Sequence, residues 1–331
     1  MDPYDTPTVP SAAHRPPPPG RGLWLAAGSL VLLAVVAGIG LGSLQLIDLF
    51  SPPEETSETI DAGVERIVVD VGSDDVRITG SDRTDITVSQ ARRGVFAEHD
   101  NQVRREGDTL TVTGACSSWF VASCSTVFEL DVPHGVSVEL TGGSGNIGTE
   151  DVHGALDLEL GSGDIEAVGT IGDVVATVTS GNVEVRESES PNVEATATSG
   201  DVTVETLADA EAISAASTSG NVTVDAGGAV GSLTANAESG DVTIETAADA
   251  QTIDAATTSG NVTLGIGAAF GSLTADAESG DVQVTVPTGG GPYAVDADTS
   301  SGDIDAQVPQ DPEGPPVRLR AGSGNVSIDT D

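Results

Sequence analysis

The chain of 331 residues has no lysine and only 12 basic side chains, all arginine, against 52 acidic ones, a formal net charge of −40 at pH 7. A polyanion of this kind repels nucleic-acid phosphates and anionic lipid headgroups, which excludes both as partners. Divalent cations, cationic polymers and basic patches on other proteins remain as attractions. Aromatic residues are scarce, and after Gly142 only Phe270 and Tyr293 occur. So few large side chains imply a thin core, and a carbohydrate-cleaving groove of carboxylate, basic and aromatic groups has little to build on. Four histidines (His14, His99, His134 and His153) are scattered along the chain, with none paired at metal-ligand spacing. Serines are plentiful but lack the Gly-x-Ser-x-Gly strand-to-helix setting of a nucleophile elbow. No catalytic residue is assigned, no cofactor is expected, and the chain reads as a non-enzyme.

What is present is a repeat. A turn of the form Ser-Gly-(Asp/Asn), followed by a β-branched aliphatic, begins at Ser144, Ser162, Ser180, Ser199, Ser219, Ser239, Ser259, Ser279, Ser301 and Ser323. Its Gly-Asx pairs are Gly145-Asn146, Gly163-Asp164, Gly181-Asn182, Gly200-Asp201, Gly220-Asn221, Gly240-Asp241, Gly260-Asn261, Gly280-Asp281, Gly302-Asp303 and Gly324-Asn325. Glycine supplies positive φ, and Asp or Asn bonds to nearby backbone, so each pair reads as a corner. One corner every 18 to 22 residues is the signature of a coil whose units bury their apolar faces only against neighbours. Within a rung, Asn221-Val-Thr-Val-Asp225 and Asp241-Val-Thr-Ile-Glu245 alternate strictly. Val222, Val224, Val242 and Ile244 therefore point inward from one strand, and Leu233, Ala235 and Ala237 from a second. Val, Thr, Gly and Asp dominate and argue against helix.

Residues 205–244 and 245–284 are near duplicates. The corners alternate Asn and Asp from Asn146 to Asp281, and the alternation breaks only at Asp303, before Asn325. Stacked rungs lie ~4.8 Å apart. Carboxylates on every second rung are then roughly 10 Å apart, about one Debye length in physiological salt. The alternation is expected to relieve like-charge stacking. Structural calcium is the weaker alternative, because calcium-binding coils repeat every nine residues with Asp in each turn.

Ahead of the repeats, Leu23 to Ile47 is almost wholly apolar and uncharged, long enough to cross a bilayer as one helix. Arg15 and Arg21 precede it, while Asp48, Glu54, Glu55 and Glu58 follow, so the N-terminus is expected in the cytoplasm and the remainder outside. Ala34, Gly38 and Gly42 fall at small-xxx-small spacing, a face through which two such helices could dimerise. The chain divides into a disordered Pro-rich tail (1–22), a signal-anchor helix (23–47), a linker (48–60), an N-terminal β region or cap (61–141) and the solenoid repeats (142–331). Cys116 and Cys124, in the exported part, read as one disulfide closing a hairpin loop. Trp119-Phe-Val121 in that loop reads as a cap over the first rung, or as a contact with a partner or the bilayer.

Ile67-Val-Val-Asp-Val71, the two-cysteine loop, and Leu130-Asp-Val-Pro-His-Gly-Val-Ser-Val-Glu-Leu140 running into Thr141-Gly-Gly-Ser-Gly-Asn-Ile147 and the repeated corners resemble the bacterial putative-adhesin domain of unknown function. The resemblance covers roughly 61–331. It implies an all-β, single-stranded right-handed β-solenoid and brings no catalytic residues. The function expected is a membrane-anchored, extracytoplasmic surface or adhesin-like interaction module with an unknown protein, polymer or cationic partner. The alternative is an envelope-stress component that binds cationic peptides.

Overall fold

The computed structural model describes residues 53–93, 97–118 and 124–331, together with Leu32, Val35 and Val36. Those three are helical and exposed. The rest of the expected anchor, including Ala34, Gly38 and Gly42, lies outside the described residues, as do the Pro-rich tail and Trp119 to Val121. Among the described residues no helix is long and apolar enough to cross a membrane.

Residues 52–331 form one compact unit. The N-terminal strands are β1 (Glu54–Ile60), β2 (Arg66–Val71), β3 (Asp75–Ser81), β4 (Ile86–Arg93), β5 (Ala97–Glu106), β6 (Thr109–Ser118), β7 (Ser125–Pro133), β8 (Ser137–Ser144) and β9 (Ile147–Glu150). A regular series follows from β10 (Leu156–Ser162) to β21 (Val262–Ile266). The chain finishes with β22 (Phe270–Ser279), β23 (Val282–Val286), β24 (Ala294–Thr299), β25 (Ile304–Ala306), β26 (Pro316–Ser323) and β27 (Val326–Thr330). Each rung gives one strand to a 14-stranded sheet and one to a 13-stranded sheet. From β8 and β9 onward every pairing is parallel. This is the expected all-β parallel solenoid.

Register follows the repeat, so like stacks on like: Val202 on Val222 on Val242, and Ala215 on Ala235 on Ala255. The inward residues meet between the two sheets. Val222, Val224, Leu233, Ala235, Val242 and Ile244 are all fully buried, and Ala237 nearly so. Burying each Val, Leu or Ile is worth about 1.5–3 kcal/mol, and a slip of one residue would turn the whole column to water. At the corners, Gly181 has φ +133°, and a Cβ there would overlap the carbonyl oxygen of Gly163 on the next rung. Glycine is thus required twice, by dihedral and by stacking.

Sequence order and spatial order part company at both ends. In space β2 lies between β6 and β8, and β3 between β7 and β9. The rung made by β6 and β7 is therefore outermost, although it follows β2 and β3 in the chain. At the other end β26 sits between β22 and β24, and β27 between β23 and β25. The last rung in sequence is thus the penultimate rung in space. The β24–β25 rung is thus tied at both its chain ends, to β23 and to β26, to rungs further in.

The two ends are finished differently. Beyond the β6–β7 rung the pairing turns antiparallel: β4 joins β7, β1 joins β4, and β5 joins β6. The disulfide does not close a hairpin, as its spacing suggested. The hairpin is β5–β6, turning at Gly107 and Asp108, whereas Cys116 and Cys124 join the end of β6 in one sheet to the start of β7 in the other. Both strands bury an apolar column, Leu110 with Val112 and Phe128 with Leu130, one in each sheet of the same rung.

Candidate functional site

The ten corners fall in one column along an edge of the coil, joined by an eleventh at Asp75. In space the column reads Asp75, Asn146, Asp164, Asn182, Asp201, Asn221, Asp241, Asn261, Asp281, Asn325, Asp303. The alternation that breaks in sequence at Asp303 is unbroken in space, because the exchanged rungs insert Asn325 between Asp281 and Asp303. Each Oδ1 accepts the backbone N–H of the next corner. Aspartate acceptors give 2.7 to 2.8 Å (Asn146, Asn182, Asn221, Asn261 and Asn325 donating). Asparagine acceptors give 2.9 to 3.2 Å (Asp164, Asp201, Asp241, Asp281 and Asp303 donating). The shorter set is charge-assisted. Asparagine contributes a second bond, its Nδ2 donating to the carboxylate on one side: Asn182 to Asp164 at 3.0 Å and Asn261 to Asp241 at 3.1 Å. Alternation therefore pairs donors with carboxylates as well as spacing charge.

The same exchange of rungs places two of the repeat region's three arginines. Arg320 stacks between Asp276 and Asp298, and Arg318 between Thr274 and Asp296, with Arg318 Nε 3.7 Å from Asp296 Oδ2. In sequence order Asp298 would have stacked directly on Asp276. The third arginine, Arg186, pairs with Glu166 and Glu184 on its outward face.

At the N-terminal end the column gives way to a buried polar cluster between the sheets. Asp74 is 2% exposed, and its Oδ1 accepts the Thr126 N–H of the outer rung at 2.7 Å, in the opposite sense to the bonds of the ladder. Thr126 Oγ1 lies 3.3 Å from His99 Nδ1 and 3.4 Å from Asn101 Nδ2. His99 Nδ1 is also 3.4 Å from Cys116 Sγ. Asp74 Oδ2, Arg92 Nε and Asn101 Oδ1 are buried with no partner. His99, Cys116 and Cys124 bring their ligand atoms within 4.8 Å of one another, a set that could hold a soft metal once the disulfide is reduced. In the oxidised form the sulfurs are committed to each other, and the cluster is a covalent staple across the corner.

Sequence spacing hid two of these groupings. His99 is brought to the cysteines by the β5–β6 hairpin, where it pairs across from Cys116. His134 and His153 stack with ring centroids 3.8 Å apart, and His134 Nε2 stands 3.5 Å from Asp82 Oδ1. Neither pairing has a local motif: the first follows from the register of the β5–β6 hairpin and the second from which rungs become neighbours. Tyr293 packs against Phe270 at 5.4 Å, and burial pushes its phenol above the ordinary value.

The sequence matches the family Toastrack DUF4097 over residues 64–270, with further matches over 226–287 and 251–328. No curated protein matches the chain. Solved structures similar to it include a putative cell adhesion protein from Clostridium sporogenes (12% identity, 84% of this chain and 100% of that one, TM-score 0.21). A putative adhesin from Bacteroides fragilis is similar at 13% identity, 84% and 97% coverage and TM-score 0.32. So is a putative lipid binding protein from Parabacteroides distasonis, at 12%, 85% and 98%, and 0.33. Likeness at these identities and scores carries nothing about partner or activity. The family match spans about four-fifths of the residues, from the first rung strand to the last, and by it the chain belongs to the Toastrack DUF4097 family.

Proposed function

We propose that the chain is a membrane-anchored, extracytoplasmic, non-enzymatic interaction module of the adhesin kind. The observation that carries this reading is a stiff one-dimensional coil with outward side chains in repeating columns. Eleven stacked corners span about 50 Å at the rung spacing of a β-sheet, enough to hold a binding surface clear of a bilayer. Leu23 to Ile47 supplies the anchor, with Arg15 and Arg21 on the cytoplasmic side, and the disulfide suits an oxidising compartment.

A second reading, an envelope-stress component that binds cationic peptides, is favoured by charge. Between residues 143 and 331 there are 32 acidic residues against three arginines, a net −29. Epitope tags at the two ends test the topology. In intact cells a C-terminal tag should be open to antibody and protease while an N-terminal tag is shielded, and a shielded C-terminal tag sinks the reading. Attachment of chain-coated beads to cells or cell-wall polymer, compared with salt-sensitive capture of cationic peptide, separates the two functions.

A further inference from the structure

The outermost C-terminal rung of the coil is a docking edge for an extended, basic peptide strand, we infer, a partner class that deepens the reading of the chain as an interaction module and rests on it. The two ends of the core differ sharply. At the N-terminal end the outermost rung is sealed: Leu110, Val112, Phe128 and Leu130 are at most 1% exposed, beneath the antiparallel strands β4 and β5. At the C-terminal end the outermost rung is β24 and β25, and among the described residues no strand pairs with their outer sides, although Tyr293, just ahead of β24, bridges to Gln310 of the loop after β25. Its inward residues are open to water: Val295, Ala297 and Ala306 are only partly buried, and Ile304 is 48% exposed. Their counterparts one rung in, Val317, Leu319, Val326 and Ile328, are buried to within 1%. A row of unpaired backbone groups beside an unfinished apolar column is the substrate for strand addition.

The corner ladder ends in the same state. Every other aspartate of the column accepts an N–H from the next rung, whereas Asp303 donates its own N–H to Asn325 and is the last rung of its sheet. Among the described residues no further rung supplies an N–H to its carboxylate. Charge selects the occupant. Asp296, Asp298, Asp303 and Asp305 are exposed on the edge rung, with Arg318 set against Asp296. A second copy of the chain would bring acid against acid. A strand alternating β-branched apolar residues with lysine or arginine completes the apolar column, supplies N–H donors to the edge, and answers the carboxylates.

The test uses the full-length chain in detergent and two probes of equal charge: an octapeptide alternating valine with lysine, and its counterpart with proline in place of valine. The valine peptide should bind, weaken at least tenfold between low and physiological salt, and slow hydrogen exchange within residues 294–306. The proline peptide, which lacks half the backbone N–H donors and the β-branched side chains that fill the apolar column, should bind at least tenfold more weakly. Asp303→Asn with Asp305→Asn, which leaves the bond from the Asp303 N–H intact, should lower affinity for the valine peptide by a similar factor. Equal binding of the two peptides, protection confined to the lateral faces, or end-to-end dimers that persist at physiological salt would each overturn the inference. Absence of any peptide binding overturns it as well, while bead attachment to cells would still uphold the interaction-module reading.

Discussion

Replacing both Asn221 and Asn261 with aspartate turns the alternating column into five consecutive carboxylates, at positions 201, 221, 241, 261 and 281. The substituted side chains can still accept the N–H groups of Asp241 and Asp281, which now bond to Asn221 and Asn261 at 3.0 Å. What changes is charge, together with the amide bond from Asn261 to Asp241. Four new like-charge neighbours arise, each ~4.8 Å apart. In a water-like dielectric each costs about 0.9 kcal/mol before screening. A Debye length of about 8 Å at 0.15 M salt leaves ~0.5 kcal/mol of that, and about 30 Å at 0.01 M leaves ~0.7 kcal/mol. The sum is about 2 kcal/mol at physiological salt and about 3 kcal/mol at low salt. At roughly 2–4 °C per kcal/mol for a unit of this size, Tm should fall by about 6 °C at 0.15 M and by several degrees more at 0.01 M. Thermal unfolding followed by circular dichroism at the two salts reads this directly. The control pair, Asn221→Ala with Asn261→Ala, removes acceptors without adding charge and should show a loss independent of salt. A deficit in the aspartate pair that is equal at both salts would refute the electrostatic account of the alternation.

Four further outcomes follow from the same geometry. Asn325→Asp places three carboxylates in a row at the exchanged rungs, costs about 1 kcal/mol at physiological salt, and should speed hydrogen exchange in β25 and β27 before any change in β17 (Val222–Ala226); unchanged exchange would remove the charge rationale for the exchange of rungs. Reducing the Cys116–Cys124 bond frees a loop of eight-residue separation and should cost about 2.5 kcal/mol by chain entropy, with the loss localised by exchange to β6 and β7. Tyr293 carries a buried hydroxyl with no partner, so Tyr293→Phe should hold or raise stability by up to about 1 kcal/mol in calorimetry, and a clear loss would contradict that assignment. The Asp331 side-chain carboxyl is held below its ordinary value, first by the Thr288 hydroxyl and then by the Thr288 N–H; such a group adds stability above the unfolded carboxylate range that fades as pH falls through the lowered value, and Thr288→Val should raise the Asp331 titration seen by NMR.

The sequence by itself determined the rung. Strand alternation at Val222 and Val224, the inward Leu233 and Ala235, and the glycine of each corner are local properties, governed by the two-residue period of a strand and by the φ that only glycine takes without strain. Family membership was legible for the same reason, since the matching motifs are the rung motifs themselves. The order of the rungs and the finish of the ends were decided by tertiary structure. Nothing local says that the strand after Pro315 inserts beneath its predecessor, that β5 folds back to bring His99 to Cys116, or that His134 meets His153. The order of the rungs and the meeting of His134 with His153 depend on which whole rungs stack with least like-charge contact and most buried apolar area, whereas His99 reaches Cys116 through the register of the β5–β6 hairpin. With Asn325 set between Asp281 and Asp303, and Arg320 between Asp276 and Asp298, the exchanged order meets both demands. The break that the sequence displays at Asp303 is, in space, an alternation continued to the last rung, because stacking energy acts between neighbours in the coil and not between neighbours along the chain.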